Sequence, residues 1–518
     1  MAPEEYFKFH QSINKKRYDA LYAFFVDKLP AAKVADTFGY TLSSFYSLVR
    51  DFRKYLNEGH REDFFFKNTV LGRKPNKEDH LTDSTLPITQ SPIEAILSWK
   101  KEKFHSLHTG LFAFLPTILQ NNIHRLIERS DYPSDDSINK LSAILCFLAL
   151  KLSNIKKYPH DDLWRTDRGM GLFAGLSVLP DMQWFSDYSD KINVEMNLSF
   201  LRELHETWCN QGLLSDTINL DFTSIPYRNK SAISGMPAIL AQDSESGIID
   251  YVNCNINHCD EQAIVLGFLD FYSTSYKNTP SLKYLVFDGK FTNYQNLAEL
   301  DERKIKFITI RRRGEKMMEQ IKKISEWKTI QVEGFNVQKT SLKVNEQNIT
   351  LSGYKNDKTG KAKDIRQVVI EGNFKIKPTV LLTNDFELPI EVVIRKYFRR
   401  LLDDKDIAQQ IDFFHLNRQS ASFAIKIDFD LVLTILAHNL YRLLALSLGR
   451  YRYQTDEMIY DRFIANSGEI AIKESEIRID LKKKKELSLL MEHLNKLTTA
   501  KYPWLENKKL HFNPTGAT

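Results

Sequence analysis

The hydrophobic period of this sequence changes near residue 216, and that change constrains the fold more than any other feature. Before it, apolar residues recur with helical spacing, most densely from Leu141 to Leu152, which indicates buried helices. After it, alternating segments such as TINLDFTSIPY and short apolar runs such as KYLVF are separated by helical stretches. Strands that alternate with helices predict an α/β unit around an apolar sheet.

Two aspartates occupy special positions in these strands. Asp221 lies on the strand face opposite Ile218, Leu220 and Phe222. Asp288 ends the apolar run KYLVFD. An acid at the end of a buried strand is costly unless something satisfies it, and a bound cation does so.

A helix is predicted from near Pro389, and it places a third acid within reach. Tyr397, Arg400 and Asp404 are spaced i, i+3 and i+7, so they share one helix face. From this face Asp404, with Arg400 one turn earlier, can lean towards the strand-borne acids.

Basic residues are clustered, although the formal net charge is only +6, from 72 Lys and Arg against 66 Asp and Glu. Arg311, Arg312 and Arg313 follow the strand KFITI, and four lysines run from Lys482 to Lys485. Such runs suit a phosphate backbone, and the alternative is a solvated surface with local ion pairs.

The N-terminal segment has helical spacing in three pieces between Asn14 and Leu56. Ala35 suits a close approach of two helices, Gly39 a turn, and Thr41 the N-cap of the next helix, as in a helix-turn-helix. The second helix of such a unit enters the major groove. Candidate base or phosphate contacts are Ser43, Ser44, Ser47 and Arg50. The alternative is a small helical domain that binds protein, or nothing.

Taken together, these segments resemble the DDE insertion-sequence transposases of bacteria. The resemblance rests on the order of several blocks between Leu220 and Ala445: LDFTSIPY, LAQDSESGIIDYVNCNI, LVFDGKFTNYQNLAEL with KFITIRRRG, and YFRRLLDDKDIAQQIDFFHLN with its following helix. It implies an α/β ribonuclease-H-like catalytic core interrupted by a β-rich insertion and preceded by an all-α helix-turn-helix head and helical region.

Carried over residue by residue, the resemblance makes Asp221, Asp288 and Asp404 the catalytic metal ligands, and it places Tyr397 and Arg400 near DNA phosphates. The family has Glu where this chain has Asp404, in the motif Tyr-x-x-Arg-x-x-x-Glu. Aspartate offers the same hard oxygen donors with a side chain one methylene shorter.

The implied chemistry is cleavage at transposon ends and strand transfer into target DNA, with two Mg²⁺ ions per site and Mn²⁺ as a substitute. The implied partners are double-stranded DNA with terminal inverted repeats, target DNA and a second copy of the chain on that DNA. Two alternatives stay open. One is an inactive descendant that still binds DNA, and the other is a structure-specific nuclease that cuts without joining.

The length of 518 residues and the composition predict several domains and no membrane. Four scattered cysteines fit a reducing cytoplasm, and here a bacterial, nucleoid-associated location is expected. The expected ranges are a head at 1–56, a linker at 57–92, a helical region at 93–210, the core at 211–314 and 378–465, its insertion at 315–377, and a basic tail at 466–518. The tail is expected to begin as a strand pair, GEIAIKESEIRIDL, and to end in a basic helical piece.

Overall fold

The computed structural model divides into two compact units, residues 1–86 and 87–518. The structure describes residues 15–25, 28–58, 101–135, 137–155, 163–229, 232–254, 261–274, 282–289, 293–312, 314–333, 339–355, 359–371, 378–399, 413–414, 424–496 and 499–515.

The described part of the first unit is a three-helix head, with α1 at Lys15–Phe25, α2 at Ala31–Thr37 and α3 at Leu42–Glu58. The three predicted helices are confirmed. Ala35 is buried, Gly39 has φ +61°, and Thr41 Oγ1 accepts a hydrogen bond from Ser44 N at 3.2 Å. Each residue therefore has the local role that its type predicts, in packing, turning and capping.

The second unit begins with a largely helical region, as predicted. Apolar helices such as α6, where eleven of thirteen residues are buried, pack into one large core. The helices are α4 Phe114–Gln120, α5 Ile123–Arg129, α6 Lys140–Leu152, α7 Arg168–Phe173, α8 Met182–Asp190 and α9 Val194–Asn210. Short 3₁₀ turns lie at Thr109–Ala113 and Leu163–Thr166.

A nine-stranded sheet forms the centre of the second unit, in the order β4-β3-β2-β5-β6-β10-β9-β8-β7. β2 pairs parallel with β5, and β5 parallel with β6, whereas β3 and β4 are antiparallel. Their bounds are β2 Thr217–Asn229, β3 Ala232–Asp243, β4 Ile249–Asn253, β5 Tyr284–Phe287 and β6 Lys306–Ile310. Helices α10 at Glu261–Thr274 and α11 at Tyr294–Glu302 connect them.

In its described residues, the segment predicted as an insertion contains one helix and three strands, and β10 follows it. These strands extend the central sheet through β10, which pairs antiparallel with both β6 and β9. The elements are α12 Glu315–Lys322, β7 Lys328–Glu333, β8 Lys339–Lys355, β9 Ala362–Glu371 and β10 Thr379–Thr383. A helix whose described part is 390–399, α13, follows.

The C-terminal segment completes a second sheet, in the order β1-β11-β12-β14-β13. The predicted strand pair is confirmed as β11 and β12, but the expectation that the tail ends in a basic helix is wrong. The helix is apolar, and the last described element is β14, which buries alternate residues against β12. Bounds are β1 Glu102–Ser106, β11 Gly468–Ile472, β12 Glu476–Lys482, α16 Leu487–Asn495, β13 Lys501–Tyr502 and β14 Lys508–Thr515.

Helix α14, Ala424–Ser447, crosses the core of the second unit. It contains the one stretch among the described residues, Ile427–Ser447, that is long and apolar enough to cross a membrane, and 83% of that stretch is buried inside the protein. It packs against α6, α9 and β4, as a core helix does. The 3₁₀ turn Gly449–Tyr451, helix α15 at Asp456–Ile459 and the π-helical turn Tyr460–Ile464 follow it.

Candidate active site

The strand pairing brings Asp221 and Asp288 together at the centre of the sheet. Leu220 on β2 pairs with Phe287 on β5 in parallel register. Asp221 directly follows Leu220 in the sequence, and Asp288 directly follows Phe287. Neighbouring strands lie about 4.8 Å apart, and residues in register point to the same face, so the two carboxyl groups are adjacent. Both residues are half-buried.

The local sequence of β2 explains why Asp221 is partly accessible at this point of the sheet. Both faces of the strand are buried at its start, with Ile218 and Leu220 on one side and Thr217 and Asn219 on the other. Asp221 is the first residue at which the second face becomes partly accessible. The sheet therefore presents this carboxylate at a partly accessible position between Asn219 and Ile225, which are buried on the same face.

Contacts from β6 hold the backbone around the second acid. Thr309 Oγ1 donates to Asp288 O at 3.3 Å, and Arg312 Nε donates to Gly289 O at 3.0 Å. A Cβ on Gly289 would lie only 3.0 Å from Ile310 Cγ2, so glycine permits this close approach. The sequence interpretation did not identify Thr309 or Gly289 as part of the site, although the Asp-Gly pair at a strand end was a usable signal.

The three predicted arginines do not behave alike. Arg311 is half-buried, and its Nη1 donates to Gln367 Oε1 at 2.6 Å. Arg312 is exposed beside the backbone that follows Asp288. Arg313 lies outside the described residues.

The third predicted acid, Asp404, and its neighbour Arg400 also lie outside the described residues. The helix that leads to them, α13, packs against the strands that carry the second acid. Tyr397 is 2% exposed and belongs to a buried cluster with Val286 of β5 and Ile308 of β6. Such burial does not favour the predicted contact of Tyr397 with a DNA phosphate.

A polar cluster at the opposite edge of the sheet anchors α13. Lys396 Nζ donates to Thr217 Oγ1 at 2.8 Å and lies 4.5 Å from the ring centroid of Tyr284. Burial lowers the pKa of Lys396. The Tyr284 hydroxyl donates to Asp385 Oδ2 at 2.5 Å. Burial alone would raise the pKa of Asp385, but this bond and two backbone N–H donors hold it below its usual value. The sequence interpretation did not identify this anchor.

Carboxylate oxygens are ligands that Mg²⁺ prefers, and two adjacent half-buried carboxylates fit part of such a site. Within the described ranges, which exclude Asp404, no group of three or more His, Cys, Asp or Glu residues is arranged to hold a metal. The described residues therefore supply two of the three predicted ligands.

In the head, α3 exposes the predicted contact face. Ser43 and Arg50 are exposed, Ser47 is half-buried, and Ser44 bonds back to the Thr41 cap. Tyr46, 52% exposed, lies on the same face three residues after Ser43, a position that helical spacing alone would have found. Phe45 and Phe52 face the head core and are fully buried.

No protein-family model matches the chain. No curated protein matches it either. Among solved structures, the chain is similar to a piggyBac transposase synaptic complex with hairpin DNA, determined by cryo-electron microscopy. The TM-score is 0.37 and the identity 11%, over 78% of this chain and 86% of that one. A likeness at this level does not assign the chain to a family.

Proposed function

We propose that this protein is a DNA transposase of the DDE type. The observation that carries the proposal is the adjacency of Asp221 and Asp288 on parallel neighbouring strands at the centre of the sheet. A pair of carboxylates fixed by backbone pairing suits metal-dependent phosphodiester chemistry, because two bound cations about 3.5 to 4 Å apart need shared oxygen ligands.

The strand arrangement supports the finer proposal of a ribonuclease-H-like core. In this proposal β2 to β6 form the core, α13 continues to the third acid Asp404, and β7 to β9 form the insertion. The anchoring of α13 by Lys396 and by burial of Tyr397 keeps this helix against β5. The insertion would then brace the core by extending its sheet.

Two Mg²⁺ ions, or Mn²⁺ in their place, would be held by Asp221, Asp288 and Asp404, and would supply an activated nucleophile and stabilise the departing oxygen. The chain's own contribution is geometric. Thr309 and Gly289 fix the backbone of Asp288, so that little reorganisation is needed when the ligands engage.

The DNA contacts of the proposal are assigned by exposure. Arg312 is placed to meet a phosphate near the acids, because it is exposed and its Nε is tied to the backbone after Asp288. Arg311 donates a hydrogen bond to Gln367, so its role in the proposal is structural. In the head, Ser43, Ser47 and Arg50 would contact the duplex. Because two transposon ends must be joined in one event, a dimer on DNA is part of the proposal.

The test is cleavage of a labelled duplex that carries the terminal repeat flanking the gene, with Mg²⁺ or Mn²⁺. Asp221→Asn and Asp288→Asn keep the side-chain shape but weaken metal binding. Mutation of a residue that only hydrogen-bonds a metal ligand already lowers metal affinity or activity by about 10- to 100-fold. We therefore expect at least a hundredfold loss of cleavage when a ligand itself is changed, as in either variant. The exposed Asp131→Asn is the matched control and should leave cleavage unchanged.

Three results would contradict parts of the proposal. Binding without cleavage by the unaltered protein would favour an inactive DNA-binding descendant. Cleavage with no preference for the repeat and no joined product would indicate a nuclease of another kind. Full cleavage by both aspartate variants would show that Asp221 and Asp288 are not the metal ligands of the reaction.

A further inference from the structure

A second basic surface lies outside the candidate active site. It is formed by the loop after α14 and by the lysine run after β12. Arg450 Nη2 lies 2.8 Å from Glu486 Oε2, and Lys484 Nζ donates to Asp461 O at 3.0 Å and to Ala465 O. These contacts bring the two segments together. The exposed cations, called the basic face below, are Arg450, Arg452, Lys482, Lys483 and Lys485.

The backbone beneath the basic face is fixed. Arg442 of α14 donates to Arg452 O at 2.7 Å, to Gln454 O at 3.3 Å and to Ser246 O at 3.1 Å. Tyr451 is buried against Phe463, with ring centroids 5.0 Å apart. The loop therefore holds its arginines at set positions instead of leaving them on a mobile chain.

Of the four lysines from Lys482 to Lys485, one makes side-chain hydrogen bonds to described residues of the fold and the other three do not. Burial lowers the pKa of Lys484, which bonds two backbone carbonyls. Over the part of the chain that the structure describes, the side chains of Lys482, Lys483 and Lys485 make no hydrogen bond or ion pair. Three neighbouring exposed cations repel one another, and a polyanion that contacts them would relieve this repulsion.

The acidic residues of these two segments do not neutralise the cations of the same segments. Residues 449–464 and 482–486 contain seven cations and four acids. Of the acids, Asp456 is buried against His438 at 2.7 Å, and Glu486 is paired with Arg450. Glu457 and Asp461 are exposed, so a positive excess remains.

The basic face is far from the paired acids. Asp428, near the start of α14, accepts a hydrogen bond from Cys254. Cys254 follows Asn253 of β4, and Asn253 pairs with Ile239 of β3. The next residue of β3, Leu240, is the one that pairs with Asp221. The start of α14 is thus level with the acids along the strand direction, two strands away from β2. From Asp428 to its end by the basic face, the helix is roughly 30 Å long at 1.5 Å per residue.

We propose that the basic face binds the phosphate backbone of double-stranded DNA about nine base pairs from the bond that is cut, at about 3.4 Å per base pair. A fixed array of arginines and lysines suits a stiff polyanion, and Tyr453, 61% exposed beside Arg452, adds an aromatic surface. The distance from the cut bond rests on the proposed function, whereas binding to DNA does not.

The test is the affinity of the full chain for a labelled 40-base-pair duplex over a series of salt concentrations, for Arg452→Gln, Lys483→Gln and Lys485→Gln combined. Loss of three phosphate contacts should lower the slope of log K against log salt by about 2 to 3 and weaken binding at least tenfold near 0.1 M salt. The combined Arg125→Gln, Arg165→Gln and Arg202→Gln variant removes the same charge from exposed positions on other elements and should bind like the unaltered protein.

Equal slopes of log K against log salt for the two triple variants would overturn the proposal. A loss of affinity seen only with single-stranded RNA, or only with phosphatidylserine vesicles, and not with duplex DNA would overturn it as well. The melting temperature should change little, because among the described residues the altered lysines make no hydrogen bond or ion pair and Arg452 lies over the exposed ring of Tyr453. If the unaltered protein never cleaves DNA but the slope falls as expected, the basic face stands and the proposed catalysis fails.

Discussion

At the scale of single residues, three buried pairs of ionisable groups in the second unit join different elements. His205 of α9 lies 2.6 Å from Asp250 of β4, His438 of α14 lies 2.7 Å from Asp456, and Lys151 of α6 lies 2.9 Å from Asp430. Removing one partner of a buried pair leaves an uncompensated charge, which is destabilising by about 3 to 5 kcal/mol. These pairs therefore fix how helices and sheet are assembled.

The His205 pair gives a pH dependence. Burial opposes the charged imidazole, but the hydrogen bond to Asp250 raises the pKa of His205 from 6.5 to about 10. A raised folded-state pKa means that protonation stabilises the fold fully below pH 6.5, and that this stabilisation is lost as the pH rises through 10.

We expect His205→Gln to lower the free energy of unfolding by about 3 to 5 kcal/mol at pH 7 and by less at pH 10. Urea unfolding at a series of pH values measures this difference, with the exposed His105→Gln as control. Parallel pH profiles for the unaltered protein and His205→Gln would show that the pair has no such role.

At the scale of elements, local patterns predicted what depends on local sequence. The head helices, the strand that carries Asp221, the strand that precedes Asp288 and the β11–β12 hairpin all have a clear period or turn chemistry of their own. β1 was not predicted, because Glu102–Ser106 is short and pairs with a strand more than 350 residues away. The last strand was mistaken for a helix, although Leu510 and Phe512 alternate with polar residues, because its parallel partner β12 is also distant.

The site follows the same division. Asp221 and Asp288 were predicted from local signals, because Asp221 is a polar position in an alternating strand and Asp288 ends an apolar run. Their role as metal ligands stays a prediction. The sequence could not show that β2 and β5 are neighbours, since parallel pairing depends on the fold as a whole. The contacts of Thr309, Lys396 and Arg312 were likewise out of reach, because each joins elements separated by other structure.

A glycine in the second sheet tests one element contact. A Cβ at Gly468 of β11 would lie 1.8 Å from Asp480 O, so alanine must displace backbone in the β11–β12 pair. We expect Gly468→Ala to be destabilising by about 3 kcal/mol. Gly267→Ala in α10, where nothing lies within 4 Å, should stabilise by about 0.5 to 1 kcal/mol. Chemical denaturation measures both, and similar effects of the two changes would refute the contact.

At the scale of the whole molecule, the two compact units have separate apolar cores. The head core consists of about ten buried residues, including Phe45 and Phe52, and the second unit has a much larger core crossed by α14. We therefore expect the two units to unfold in separate cooperative transitions.

Phe52→Ala should therefore lower only the transition of the head, by about 3 to 5 kcal/mol, because Phe52 is fully buried there. Leu436→Ala in α14, also fully buried, should lower only the other transition. Differential scanning calorimetry resolves the two. A single transition shifted by both substitutions would mean that the units unfold together.

The pairing of β1 with β11 also has a consequence for synthesis on the ribosome. Thr109, just after β1, bonds to Asn466, just before β11, across 357 residues of chain. At about 5 to 20 residues per second, the first partner leaves the ribosome roughly 20 to 70 seconds before the second. Asp221 and Asp288 are translated within this interval. The second sheet is therefore completed only after β11 to β14 have been translated, so a chain terminated before β11 would carry both acids in an unclosed fold.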